Sequence, residues 1–152
     1  MNTRFPLLPA FAACVFLSLG ASGAQARDTM YMFQIQDAIA IGKGNGRLGN
    51  DIAFYFSDQP HPAVEAALSR SVVANKKTNK IDKSDVEACN QTLLSALVEL
   101  QERARREGGN AVINIASYYR NNRVESRDQY QCAGGMIRTG VALIGDVVRL
   151  KR

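Results

Sequence analysis

The longest regular alternation of apolar and polar positions in this chain lies between residues 85 and 107. Val86, Cys89, Leu93, Leu97, Leu100 and Ala104 recur at steps of three or four. That spacing keeps one face of an α-helix against a core. Gln91, Glu99, Glu102, Arg103 and Arg106 carry the opposite face. Ser84-Asp85-Val86-Glu87 reads as a capping box, in which the serine and the glutamate each satisfy a free backbone N–H. Arg105 and Arg106 suit the negative pole of the helix dipole, and Gly108-Gly109 supplies a left-handed stop. The pattern predicts a helix from Asp85 to about Glu107.

Elsewhere the pattern is shorter and strand-like. Met30 to Gln36 has strand composition, with Phe33 and Ile35 one period-two step apart, and Asp37 to Ile41 is a helical turn or a strand extension. Gly42 to Gly49 reads as a loop, Asp51 to Phe56 as a strand, and Ser57 to Pro62 as a turn. Val64 to Val73 is ambiguous: Val64, Ala67 and Leu68 suit a helical turn, Ser71-Val72-Val73 a strand. Asn75 to Lys83 is a polar, lysine-rich loop, and Ala111 to Tyr118 is a strand. Arg120 to Asp128 is a polar loop, Tyr130 to Ile137 a strand loosened by Gly134-Gly135, and Val141 to Leu150 the last strand, with Gly145 as its bulge. These elements predict a single α+β domain, with one long helix (about 85–107) packed on a mainly antiparallel sheet.

The first 26 residues stand apart from that domain. Arg4 precedes an apolar run from Phe5 to Leu19, and small residues follow to Ala24-Gln25-Ala26. Basic start, short apolar centre and Ala-x-Ala end form a Sec-type signal peptide with its cut between Ala26 and Arg27. The run is shorter than the ~20 residues a bilayer span needs. Lipidation at Cys14 is the minor alternative, because the apolar run continues past Cys14. The expected product is an exported domain of residues 27–152 located in the periplasm. Of the 19 basic residues only Arg4 leaves with the signal and none of the 14 acids does, so that domain would carry +4. So mild a charge allows contact with anionic surfaces but is no nucleic-acid signature.

Two cysteines remain, Cys89 and Cys132. An even count in an oxidising compartment favours a disulfide over two separate buried thiols. Cys89 lies on the apolar stripe of the helix and so faces the sheet, and Cys132 lies in a strand segment, so the two side chains can oppose each other.

The back half of the chain carries a resemblance. Gly108-Gly109-Asn110-Ala111-Val112-Ile113-Asn114-Ile115 after a helix, then Tyr130-Gln131-Cys132, then Val141-Ala142-Leu143-Ile144-Gly145-Asp146-Val147-Val148, resembles a family of small exported proteobacterial proteins often described as "excinuclease ATPase subunit". That likeness extends to Phe54-Tyr55-Phe56, Pro60-His61-Pro62 and Asn75-Lys76-Lys77-Thr78-Asn79. More distantly, residues 85–150 are similar to YbjQ-like domains and to the periplasmic part of RcsF, a stress-sensing lipoprotein. The resemblance implies an α+β fold with a helix on a sheet; for RcsF-like members it implies disulfides, with four cysteines where this chain has two.

The candidate chemistry is sparse. An excinuclease ATPase needs a Gly-x-x-x-x-Gly-Lys-Ser/Thr phosphate loop and repeated Cys-x-x-Cys zinc modules, and the sequence contains neither. Gly44-Asn45-Gly46-Arg47-Leu48-Gly49 fits Gly-x-Gly-x-x-Gly, but runs into a strand where a dinucleotide site requires a helix. His61, the only histidine, is a surface turn residue between Pro60 and Pro62, without a nucleophile or acid beside it to make a triad. A zinc site would need three or four ligands, and a disulfide would remove two of those available. Met30 and Met32 could ligate soft copper, but aromatic neighbours point to core packing. No catalytic, cofactor-binding or metal residue is nominated, and no cofactor is expected.

The remaining candidates are electrostatic. Lys76, Lys77, Lys80 and Lys83 form a possible patch for an anionic envelope component or a periplasmic protein partner, and Arg103, Arg105, Arg106, Arg120, Arg123 and Arg127 form a second basic region. The plainer alternative is an ordinary solvated surface. Aromatic and basic residues are not interleaved as nucleic-acid stacking requires, so nucleic acid is not an expected partner. The expected function is a non-catalytic periplasmic domain that binds within the envelope, stress-related by resemblance. The alternatives are a small periplasmic enzyme with an unrecognised site, or a metal-binding domain.

Overall fold

The computed structural model describes residues 28–152; the signal segment expected at 1–26, with Cys14 and the cleavage residues Ala24, Ala26 and Arg27, lies outside the described residues. The elements run β1 (Thr29–Gln34), α1 (Ile35–Gly44), β2 (Ala53–Phe56), β3 (Val64–Asn79), α2 (Asp85–Glu107), β4 (Ala111–Ser117), a 3-10 turn (Tyr119–Asn121), β5 (Gln129–Gly134) and β6 (Arg138–Leu150). They form a mixed α+β domain in which two helices accompany one curled, six-stranded sheet.

β6 is the spine of the sheet. β3 pairs along its whole length, from Asn79 opposite Arg138 to Val64 opposite Leu150. Its other edge is shared by β5, at Thr139 and Gly140, and by β4, from Leu143 to Val148. β1 borders β5, and β2 borders β4. Every pairing is antiparallel except β2 with β4. Splitting one edge between two partners forces the sheet to curl, so its inner face wraps α2.

The long helix lies where its periodicity predicts. Ser84 Oγ accepts from the Glu87 backbone N–H at 3.2 Å, and Gly108 ends the helix in a left-handed conformation, φ 74°. Cys89, Leu93, Leu97, Leu100 and Ala104 are fully buried against Val112, Ile115, Val141, Leu143 and Val147. Val86 leaves the stripe: in the first turn it overhangs the sheet and stays 41% exposed. The Thr92 and Thr139 hydroxyls meet at 2.7 Å where helix and β6 touch, and Tyr130 donates to Asn90 Oδ1 at 2.7 Å. Burial pushes the Tyr130 hydroxyl pKa up, with the Asp37 charge adding to it.

Four sequence expectations are corrected. First, Asn75 to Asn79 is strand and not loop, continuous with the ambiguous stretch from Val64. Register shifts between Val64 and Ala66, Ala67 and Ser69, and Ser69 and Val72 break the period-two pattern and make it look partly helical. The lysines beyond are held extended by β6, because pairing against a buried partner overrides weak intrinsic β-propensity. Second, Ile35 to Gly44 is a helix: the helical reading of Asp37 to Ile41 holds, and the helix takes in Ile35-Gln36, expected as strand, and Gly42 to Gly44, expected as loop. Its buried positions are Ile35, Ala38 and Gly42, too short a run to outweigh the strand-like composition before it. Gly42 is where α1 meets α2: a Cβ there would lie 2.5 Å from Leu94 Cδ1.

Third, Met30 and Met32 are not core residues. They stand on the outer side of edge strand β1, 43% and 42% exposed, while Tyr31 and Phe33 point inward. Fourth, the bulges near Gly145 belong to its neighbours. Ser71 on β3 and Asn114 on β4 both take positive φ, 53° and 54°, at register shifts on either side of β6. Gly145 has no room for a side chain, since a Cβ would meet Val112 Cγ1 at 2.9 Å. Asp146 holds both bulges: its carboxylate accepts from the Ser71 N–H at 2.8 Å and from Asn114 Nδ2 at 2.9 Å.

The disulfide between Cys89 and Cys132 is present, joining α2 to β5 with Cα atoms 5.9 Å apart and both side chains fully buried. It closes a loop spanning 43 positions of sequence. In the chain-entropy account a loop of that size restricts the unfolded state by about 4 kcal/mol, with measured values often lower.

Two stability outcomes follow from this arrangement. Replacing both cysteines by alanine should lower the melting temperature by roughly 10 °C, read by circular dichroism under non-reducing conditions. Asp146→Ala should cost ~1–3 kcal/mol in urea titration, well beyond the roughly ±0.5 kcal/mol of an ordinary surface change, because it frees two strained bulges at once.

Candidate functional site

The strand geometry of β3 decides the fate of the lysine patch. Successive side chains on a strand point to opposite faces. Lys76 therefore points to the helix side, where Nζ lies 2.6 Å from Glu99 Oε2. Lys80 points the same way and pairs with Asp85, which also accepts from the Tyr31 hydroxyl at 3.0 Å. Lys77 points to the other face, beside Arg138, Gly140 and Tyr119. Lys83 turns back to the Asn79 carbonyl at 3.4 Å. The four lysines are neighbours in sequence but not one patch in space.

The second basic region is dispersed as well. Arg105 makes a two-pronged contact with Asp51, both arms at 2.7 Å, and reaches Glu102 at 2.6 Å. Arg127 grips Asp58 in the same manner at 2.6 and 2.7 Å. Arg103 pairs with Glu107, Arg123 with Glu125 at 2.9 Å, and Arg120 with Asp28 at 3.3 Å. The Arg105, Arg120 and Arg127 pairs join segments distant in sequence, while Arg103–Glu107 lies within α2 and Arg123–Glu125 within one loop. Three carboxylates are depressed by the cation they meet: Arg127 holds Asp58 down at about 2, Arg105 lowers Asp51, and Lys80, with help from Tyr31, lowers Asp85.

The glycine-rich loop is structural. Gly44 ends α1, and the loop leads through buried Leu48 and Ile52 into β2. Buried Gln101 on α2 clamps it, accepting from the Gly49 N–H at 2.8 Å and donating to the Arg47 carbonyl at 3.1 Å. A Cβ at Gly49 would lie 2.3 Å from Asp51 Oδ1, so a side chain there would push aside the Asp51–Arg105 pair. The loop follows a helix and precedes a strand, the reverse of a dinucleotide site.

His61 packs its ring edge-on against Tyr55 at 5.4 Å, with Nδ1 2.8 Å from the Pro62 carbonyl oxygen. No carboxylate or hydroxyl joins it in a catalytic arrangement among the hydrogen bonds of the described residues. Among the described residues no group of three or more His, Cys, Asp or Glu is placed to hold a metal.

Two concavities among the described residues bear on binding. The larger, about 840 Å³, lies at the C-terminal end of α2 between Asp51, Glu65, Arg105, Asn110, Arg149 and Lys151. Two of its arginines are committed, Arg105 to Asp51 and Arg149 to the Gly108 carbonyl at 3.1 and 3.2 Å, while Lys151 and Arg152 at its rim join no ion pair found among the described residues. The smaller, about 120 Å³, lies between Asp28, Lys77, Tyr119, Arg138 and Gly140. Here Tyr119 donates to Asp28, an interaction that raises the tyrosine pKa, while neither Lys77 nor Arg138 joins any ion pair found among the described residues.

The paired carboxylates fix the pH response. Asp51, Asp58 and Asp85 have folded-state pKa values below their ordinary 3.8. The unfolded chain therefore takes up protons first on acidification. This contribution is whole above about pH 4 and is lost as pH falls toward about 2. The urea midpoint should drop through that window, and an Asp58→Asn, Asp51→Asn variant should show a shallower drop. The effect is modest, since the pairs are exposed and screened.

No protein-family model matches this chain, and no curated protein matches it.

Proposed function

We propose that this chain is an exported, non-catalytic domain of the cell envelope that works by binding. The observation that carries this reading is the fully buried disulfide between α2 and β5. Such bonds persist in oxidising compartments and are rare where thiols are kept reduced. The basic, apolar and Ala-x-Ala succession of the first 26 residues points to the same compartment. Among the described residues no helix is long and apolar enough to cross a membrane.

Binding is favoured over chemistry by how the reactive groups are used. The cysteines are bonded to each other, the glycine-rich loop is clamped by Gln101, and the depressed carboxylates are each held by a neighbouring cation. An acid–base site requires carboxylates poised near neutral pH, and these are shifted the opposite way. Kinship with the small exported proteobacterial family and, further off, with YbjQ-like and RcsF-like domains belongs to this proposal, and a stress-related role rests on that kinship alone. Excinuclease or ATPase activity has no support in the residues.

The test is the protein as its own host makes it. Purified without reductant, it should begin at Arg27, fractionate with the periplasm or envelope and show no labelling of Cys89 or Cys132 by a thiol reagent in denaturant. A chain that keeps residue 1, stays in the cytoplasm and labels at both thiols would overturn the reading. A diacylglyceryl Cys14 would replace release by anchoring.

A further inference from the structure

One end of the molecule combines exposed apolar side chains with unpaired cations. The turn between β5 and β6 carries Met136, 94% exposed, and Ile137, 61% exposed. The turn between β3 and α2 carries Ile81, also 61% exposed. The two turns are bound to each other: the Lys80 backbone N–H donates to the Ile137 carbonyl at 2.9 Å. The apolar tips therefore project from the same end. Turns are ordinarily polar, and three large aliphatic side chains this exposed on adjacent turns form a patch that the fold itself does not require.

Charge surrounds the patch. Asn79 pairs opposite Arg138 and Lys77 opposite Gly140, which places both cations just behind the tips on the face away from α2. Neither is neutralised by an acid found among the described residues. Elsewhere on the surface five of the arginines singled out from the sequence are ion-paired. Both cations border the 120 Å³ depression, whose own acid, Asp28, is taken up by the Tyr119 hydroxyl and by Arg120, so Lys77 and Arg138 are left to meet anions outside it. The described chain also enters the fold here, where Thr29 pairs opposite Gly134.

We infer that this end docks on an anionic lipid bilayer, with Met136, Ile137 and Ile81 entering the interface and Lys77 and Arg138 meeting lipid phosphates. The inference rests on the envelope reading above and deepens it by naming the partner. Apolar burial at the interface and attraction of basic side chains to anionic lipid add to one another, and neither alone anchors a protein firmly. The arrangement selects lipid over a protein groove because the apolar side chains cap protruding turns and the cations flank them, the order of layers a bilayer presents.

The experiment is co-sedimentation of the oxidised protein from the envelope fraction with vesicles. One set contains equal parts phosphatidylglycerol and phosphatidylcholine; the other contains phosphatidylcholine alone. The protein should sediment with the anionic vesicles, release at high salt and ignore the neutral ones. Met136→Ser with Ile137→Ser should weaken the partition about tenfold or more, as should Lys77→Gln with Arg138→Gln. Circular dichroism melts of these variants should be unchanged, because all four side chains are solvent-facing or border the depression. Lys76→Gln, whose partner is Glu99, should leave the partition unchanged. Absence of binding to anionic vesicles, equal binding to neutral ones, or self-association abolished by the Met136 and Ile137 changes would each overturn the inference. None of these would touch the envelope reading, which stands or falls on the N-terminus and thiol state of the native protein.

Discussion

Everything in this domain is arranged around the seating of α2 in the curl of the sheet. The helix carries the apolar stripe from Cys89 to Ala104, and its partners come from β6, β4, β3 and β5. None of those strands could bury its inner face alone. The seat exists only because β6 shares one edge between β5 and β4 while β3 covers the other. Truncating any of Leu93, Leu97 or Leu100 would open a cavity at the centre of this contact, at the ~2–5 kcal/mol typical of buried leucines. The disulfide lies within the same contact, so it pins a helix to a strand already in place and limits how far the unfolded chain can separate them.

The same frame accounts for the surface. Curling brings the loop ends of the sheet close to α2, and arginines on the helix and loops reach acids on neighbouring segments. Arg105 with Asp51, Arg127 with Asp58 and Lys80 with Asp85 each join pieces of chain distant in sequence or flanking a turn. Individually such exposed pairs contribute little. Their consequence is for recognition: the ion pairs take up much of the positive charge near α2, and of the cations outside any pair Lys77 and Arg138 are the two set beside the exposed apolar turns.

What could be read from sequence follows the length of each signal. The helix from Asp85 to about Glu107 was legible, because about five turns of stripe, an N-cap serine and a left-handed glycine agree, though its first stripe position, Val86, is exposed. The pairing of Cys89 with Cys132 was legible because the stripe fixed which way Cys89 faces. β3 was not legible, since its register shifts erase the alternation and its lysines read as loop. The split of the lysine patch follows directly from that miss: a loop would let Lys76, Lys77 and Lys80 converge, while a strand forbids it. Nor could a sequence pattern find the Ser71–Asp146–Asn114 bridge, whose parts lie on three strands. The apolar tip at Met136 and Ile137 had a signal, two large aliphatics after Gly134-Gly135, but it was absorbed into the strand before it.

The central claim is that the Cys89–Cys132 bond lies inside the cooperative core, so that no local motion exposes it. The most direct measurement is the rate at which dithiothreitol reduces the bond across a series of urea concentrations. Reduction should be very slow in the absence of urea and should rise with the same denaturant dependence as global unfolding. Rapid reduction that ignores urea would show the bond reachable from the native state, and would contradict the account.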